Sequence, residues 1–298
     1  MKILLIIHGY PPTYYAGSER AAERIAQWLV AHGHTVHVFT LEKLDAPDLH
    51  MDTQTEAGIT IHRLYYNQKQ GSDPFRNSYD DPRIGQALDS VLQKNTFDVA
   101  HIVSGYLLGG QVIDVVKAHG LPIAITLTEF WFMCFRLNLL TLFNEMCIGP
   151  ETDAKCMRCQ LEEKRRFRKV KPFVPDWGMD AFWSVFEHTG SGHRQTTVMT
   201  RRRETLMKAL QRVDLVISPS RFLISKFAEY DFDTQQFVHL RHGLKPPPKT
   251  FARTQSSGTL RLGYVGQIKS HKGPDLIIDA VLPLLDQGAV FVDLNAAE

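Results

Sequence analysis

The sequence predicts an α/β protein built on a doubly wound, mostly parallel sheet. Strand and helix patterns alternate from the first residues onward. The strands read as short, continuous apolar runs, as strands buried on both faces do. The intervals between them are long enough to hold helices, which implies right-handed βαβ crossovers rather than hairpins.

The elements follow in order. Lys2–Ile7 is a continuous apolar strand. It could imitate a short signal peptide, but the run is brief and Pro11-Pro12 follows without a small-residue cleavage site, so a first buried strand is the better reading. Gly17–His32 has helical spacing through Ala21, Ala22, Ile25, Ala26, Leu29 and Val30, and Gly33-His34 ends it before a strand over Thr35–Thr40. Ile59–Tyr65 is a further strand and Ile84–Lys94 a helix. Asp98–Val103 and Pro122–Leu127 are buried strands on either side of a helix across Leu107–His119. Val213–Ser218 and Phe237–Arg241 are strands separated by a helix over Arg221–Glu229. Trp131 to about Thr200 breaks the rhythm as a basic, aromatic, cysteine-bearing insertion. Proline-rich and then polar composition marks 245–258 as an interdomain linker. The expected domains are 1–244 and a partial second domain over 259–298.

At 298 residues and 44% hydrophobic content, two packed domains are expected, and a formal charge of only +2 does not point to nucleic acid. No apolar run reaches the roughly 20 residues of a membrane span, so a cytoplasmic protein is expected.

The second domain opens on a strand, Leu260–Val265, then Gly266-Gln267-Ile268-Lys269-Ser270-His271-Lys272-Gly273, then a helix from Pro274 to Leu285. A glycine-bearing loop feeding a helix N-terminus is an anion site, because free N–H groups and the helix dipole favour negative charge. Lys272 adds a full positive charge there. In the first domain, ligands of a doubly wound sheet bind beyond the carboxyl ends of the strands. One such end reads His8-Gly9-Tyr10-Pro11-Pro12, with Gly17-Ser18 opening the next helix. It lacks the G-x-G-x-x-G spacing of dinucleotide binders, which argues against a nicotinamide or flavin enzyme. Another reads Thr126-Leu127-Thr128-Glu129-Phe130-Trp131, and Glu129 there should line a cleft or hold a hydrogen bond, since an unpaired buried carboxylate is costly. His101, inside its strand, reads as a core histidine.

Together these pieces resemble the retaining family 4 glycosyltransferases of the GT-B fold, which pairs two Rossmann-like domains. Pro11-Pro12 with Ala16-Gly17-Ser18-Glu19 resembles that family's opening signature, and Gly33-His34-Thr35-Val36 its turn into the second strand. Thr126–Trp131 resembles its Thr-Leu-His-Asp-Phe-Trp stretch, Asp214–Phe222 its serine-bearing segment, His242-Gly243 its Asn-Gly, and Gly266–Gly273 its phosphate loop. The resemblance spans nearly the whole chain. It implies transfer of a sugar from a UDP- or GDP-linked donor to a glycan or lipid-linked acceptor, with retention and without a catalytic metal. It implies donor binding by Gly17, Ser18, Gly266, Gln267, Lys272 and Gly273, with Lys272 neutralising the diphosphate leaving group. Thr128 and Glu129 would lie nearest the reacting sugar, although the family has His-Asp there, and Gln267 stands where arginine is usual. The family's paired-glutamate motif would lie beyond Glu298, so a C-terminally truncated chain with weak or no activity is expected. Two other readings stay open: a non-catalytic module that binds an acceptor or partner, and a GT-B nucleotide-sugar epimerase.

All four cysteines, Cys134, Cys147, Cys156 and Cys159, fall within the insertion. Cys156-Met-Arg-Cys159 has knuckle spacing, so a structural four-thiolate zinc site is expected to organise a loop without a core of its own, with an iron–sulfur cluster as the lesser option. The run Lys164–Lys171, followed by Phe173, Trp177, Phe182, Trp183 and Phe186, suits contact with an anionic membrane surface or a lipid-phosphate acceptor. It reads equally as a solvated helical face.

Overall fold

A computed structural model describes residues 1–71, 73–243, 260–266, 268–285 and 290–296. The chain divides into two units, one of Met1–Leu142 with Met146–His242 and one of Phe143–Glu145 with Gly243–Glu298. The expected linker over 245–258 lies outside the described residues.

The first unit contains β1 (Lys2–Ile7), α1 (Gly17–Ala31), β2 (Thr35–Lys43), β3 (Leu49–Glu56), β4 (Ile59–Tyr66), α2 (Pro74–Asn77), α3 (Pro82–Lys94), β5 (Val99–Val103), α4 (Gly109–Ala118) and β6 (Ile123–Thr126). It continues with α5 (Asp153–Glu162), α6 (Arg165–Val170), a 3-10 turn over Lys171–Phe173, α7 (Asp176–Phe186), α8 (Gly190–Gln211), β7 (Leu215–Ser218), α9 (Arg221–Glu229) and β8 (Phe237–His239). The sheet order is β3-β4-β2-β1-β5-β6-β7-β8, and every pair is parallel except β3 with β4. The expected doubly wound α/β architecture is present.

β1 shows why its sequence is apolar without alternation. Leu4 and Ile6 join the core on one face of the sheet, while Ile3, Leu5 and Ile7 join the core on the other. Helix α1 lies on the second face through Ala22 and Ala26, whose small side chains allow close approach. Ends are set locally: Asp81 accepts from the Arg83 N–H at 3.0 Å with Pro82 opening α3, and Ser220 caps α9. At Gly109, which opens α4 at φ +66°, an added Cβ would meet the Tyr79 carbonyl oxygen at 1.9 Å. Gly109→Ala should therefore cost about 2 kcal/mol or more, read as a lower midpoint in denaturant.

β3 was not legible beforehand. It is a largely exposed, polar edge strand that exists because it pairs with β4, and burial contributes little to it. The insertion also differs from expectation. Its four helices α5–α8 build their own core from Met157, Leu161, Met179, Trp183 and Met199, so the segment does not lack one.

The second unit contains β9 (Leu260–Gly266), a 3-10 turn over Ser270–Lys272, α10 (Pro274–Leu285) and β10 (Val290–Ala296). β9 and β10 pair in parallel, from Val290 opposite Leu260 to Ala296 opposite Gly266, which is a βαβ crossover around the expected loop.

Candidate active site

The carboxyl ends of β1, β5 and β6 bring together side chains far apart in sequence. His8, just past β1, places Nε2 at 3.2 Å from the Glu19 carboxylate in the first turn of α1. Ser18 donates its hydroxyl to the other Glu19 oxygen at 2.9 Å. Past β6, Glu129 accepts at 2.9 Å from the hydroxyl of Ser104, which follows β5, and accepts also from the Thr128 hydroxyl. Tyr106 joins the two sides, its ring edge-on to His8 at 4.9 Å and to Trp131 at 5.2 Å. The result is a wall of two carboxylates, an imidazole and three hydroxyls at the place where a parallel sheet offers its ligand site.

The two carboxylates differ in character. Burial works to raise the pKa of Glu19, but hydrogen bonds from His8 and Ser18 overcome it and hold the group below the usual carboxylate range. Burial pushes the Glu129 pKa up, against the hydrogen bonds from Thr128 and Ser104. One group is thus kept ionised and its neighbour biased toward holding a proton, the pattern by which acid and base roles separate. His8 Nδ1 is buried with no hydrogen-bond partner among the described residues.

The β1–α1 loop is held from beneath. Arg63 of β4 donates to the Tyr10 carbonyl at 3.4 Å and to the Pro11 carbonyl, and lies 3.6 Å from the Glu42 carboxylate. Arg63 and Glu42 are both buried. The loop delivers the chain to Gly17, which is exposed and would have nothing within 4 Å of an added Cβ. Ala16 supplies no side-chain cap to α1.

The expected site residues are therefore partly assembled. Thr128 and Glu129 meet directly, and Gly17 and Ser18 adjoin them through Glu19 and His8. Gly266, Lys272 and Gly273 belong to the second unit, where Lys272 is exposed and its N–H donates to the Lys269 carbonyl at 2.8 Å. Gln267 lies outside the described residues. His8, Ser104 and Tyr106 were not singled out beforehand, although His8 and Ser104 directly follow strands, Tyr106 lies two residues further on, and the strand-end rule covers them. His101 is a core histidine, bonded to the Thr126 hydroxyl at 2.8 Å and pushed by burial down to about 4.

The expected zinc site is not seen among the described residues. Among the described residues no three His, Cys, Asp or Glu side chains form a group that could hold a metal, and all four cysteines are free. Burial raises the Cys134 thiol and pushes Cys156 and Cys159 up to about 12, with neighbouring cysteines adding to the rise. Cys134 and Cys147 pack against the main core and Cys156 against the helical core, so the sulfurs serve as small apolar groups. A cavity of about 240 Å³ also opens beside α5, lined by Met133, Thr152, Asp153, Arg203, Tyr230 and Phe232. Its principal charges already satisfy each other, Arg203 bonding Asp153 at 2.8 Å.

A family model described as a glycosyl transferase 4-like domain matches residues 16–147, the segment that carries Gly17, Glu19, Ser104 and Glu129. Residues 16–147 are thus similar to a glycosyl transferase 4-like domain, and the fold is that of GT-B glycosyltransferases. No curated protein matches the sequence. Among solved structures, a UDP-forming α,α-trehalose-phosphate synthase from Burkholderia xenovorans, solved with glucose-6-phosphate, has a TM-score of 0.58 at 12% identity over 99% of this chain and 66% of that one. The sucrose-phosphate synthase of Thermosynechococcus elongatus has a TM-score of 0.53 at 14% identity, over 99% and 62% of the two chains. HepE of Anabaena, solved with UDP and glucose, has 0.52 at 12% identity, over 99% and 60%. This chain thus spans less than two thirds of the length of these three proteins.

Proposed function

We propose that this chain is a glycosyltransferase, transferring a sugar from a UDP- or GDP-linked donor to a glycan or lipid-linked acceptor with retention of anomeric configuration. In this reading the enzyme is cytoplasmic and peripheral to a membrane. The observation that carries the reading is the strand-end wall of His8, Glu19, Ser104 and Glu129 beside the uncapped helix start at Gly17. Polar side chains at close quarters suit a sugar, which offers hydroxyls that both donate and accept. A buried, unpartnered imidazole nitrogen is costly, and a sugar hydroxyl meeting His8 Nδ1 would remove that cost.

Roles follow from the chemistry. Departure of a nucleoside diphosphate leaves positive character on the sugar and negative charge on the phosphates. The Glu19 carboxylate and the Glu129 side chain would face the first, with Glu129 and Thr128 nearest the sugar. Backbone N–H groups at Gly17 and Ser18 would face the second, and Lys272, at the start of its own helix in the second unit, suits the same phosphate charge. No metal is required for this division of labour.

The test is titration of the full-length protein with UDP, GDP and their sugar conjugates, followed by product analysis. Sugar transferred to an acceptor in the donor's anomeric configuration supports the reading. Donor epimerised without an acceptor, or no nucleotide bound at all, overturns it. Lys272→Ala should weaken nucleotide binding roughly tenfold, as expected for loss of one phosphate-neutralising charge, and calorimetry reads it directly.

A further inference from the structure

The insertion carries a surface that neither its own packing nor the strand-end site uses. Along α6, Lys164, Arg165, Arg166, Arg168 and Lys169 are all exposed, and none takes part in an ion pair among the described residues. The carboxylates beside them are occupied elsewhere: Glu163 pairs with Arg136, and Asp180 with Arg158 at 2.6 Å. Five uncompensated cations on one short segment contrast with a chain whose formal charge is only +2.

Directly after these cations the surface turns apolar. Phe173 is 87% exposed, Trp177 76%, Val185 69%, Val170 48% and Phe182 43%. Of these, only Phe182 also packs on the insertion's own aromatic rings, 5.0 Å from the Trp183 ring. Met179 and Trp183 of α7 turn inward to the core shared by the four helices, with Phe167 of α6 packed at 5.1 Å from the Trp183 ring. On the α7 helix, Trp177, Ala181 and Val185 recur every four residues and so form the face opposite Met179 and Trp183. Single exposed apolar residues are ordinary, but a continuous set of large ones is not.

We infer that the α6–α7 surface docks on a lipid bilayer bearing anionic headgroups. The cations supply attraction to the headgroup layer, while Phe173, Trp177 and Val185 reach the boundary with the acyl chains, where an aromatic ring is favoured. Aliphatic Val170 and Val185 in the same patch offer nothing for a base to stack on, which disfavours single-stranded nucleic acid. The inference deepens the membrane part of the proposed function and rests on it for its purpose only. The docking itself is independent of sugar transfer, and so is its readout.

The test is co-sedimentation of the full-length protein with vesicles of phosphatidylcholine alone and of phosphatidylcholine mixed with phosphatidylglycerol. Binding is expected to the mixed vesicles alone and to weaken as salt is raised, because the headgroup attraction is screened. Phe173→Ser with Trp177→Ser should lower the partition coefficient about tenfold or more. Arg165→Glu with Lys169→Glu should abolish the preference for the anionic lipid. Both pairs are exposed, so circular dichroism should stay unchanged, and nucleotide binding should too. Equal binding of wild type and both variants, or absence of binding to either vesicle, overturns the inference. So does a concentration-dependent dimer that the Phe173/Trp177 variant loses, since the patch would then be covered by a second copy of the chain. Failure of nucleotide binding with vesicle docking intact would sink the enzymatic reading and leave this one standing.

Discussion

Glu129→Gln is expected to lower the rate of sugar transfer by roughly two orders of magnitude or more while leaving the fold and nucleotide affinity in place. The amide keeps the shape of the side chain and can still accept from Ser104, but it can neither ionise nor give up a proton. The substitution therefore separates chemistry from packing. A second measurement checks the physical cause. Burial raises the Glu129 pKa above the ordinary 4.5, so the folded chain binds this proton more tightly than the unfolded chain. Stability contributed by the protonated group is fully present below the ordinary value and is lost as pH rises through the raised one. The Gln variant lacks that dependence. Its stability relative to wild type should improve as pH climbs through the window just above 4.5. Denaturant midpoints at a series of pH values read this, and a difference independent of pH would remove the argument for a raised carboxyl.

The largest effect on stability is expected at Arg63→Met. Arg63 and Glu42 are both buried, and Arg63 alone ties β4 to the Tyr10 and Pro11 carbonyls. Removing the guanidinium leaves the Glu42 carboxylate without its counter-charge and the Pro11 carbonyl without its donor, a loss of about 3–5 kcal/mol. Equilibrium unfolding in urea measures it. Arg63→Met with Glu42→Leu should recover much of the loss, since exchanging a buried pair for apolar residues is often close to neutral. The double variant should still bind donor poorly, because Arg63 also sets the path of the loop that leads to Gly17. Full donor affinity in that protein would show that the loop needs no such support.

How far the fold and site could be read in advance depends on what each feature rests on. β1 was legible because burial on both faces leaves a run of aliphatic residues, and α1 because its buried alanines recur at helical spacing. β3 left no trace, since a polar edge strand is held by backbone pairing that any residue can make. The helices α5–α8 were hidden by composition. The cysteines drew attention to metal chemistry and the aromatics to a lipid surface, whereas Met157, Met179, Trp183 and Met199 were packing into a core. A spacing such as Cys156-Met-Arg-Cys159 is compatible with a knuckle but does not by itself specify a metal ion.

The site divides the same way. Local order was enough to place Glu129 after a buried strand, to put Gly17-Ser18 at a helix start, and to find the strand–loop–helix around Lys272, because each depends on neighbours in sequence. That Glu129 is held by Ser104 and that Arg63 carries the loop could emerge only with the strand order β4-β2-β1-β5-β6. Side chains some 25 to 50 residues apart are then brought within hydrogen-bonding distance. The physical reason is that pKa and hydrogen bonding respond to distance through space. A sheet whose strands are joined by long crossovers makes spatial neighbours of residues that the linear chain keeps apart.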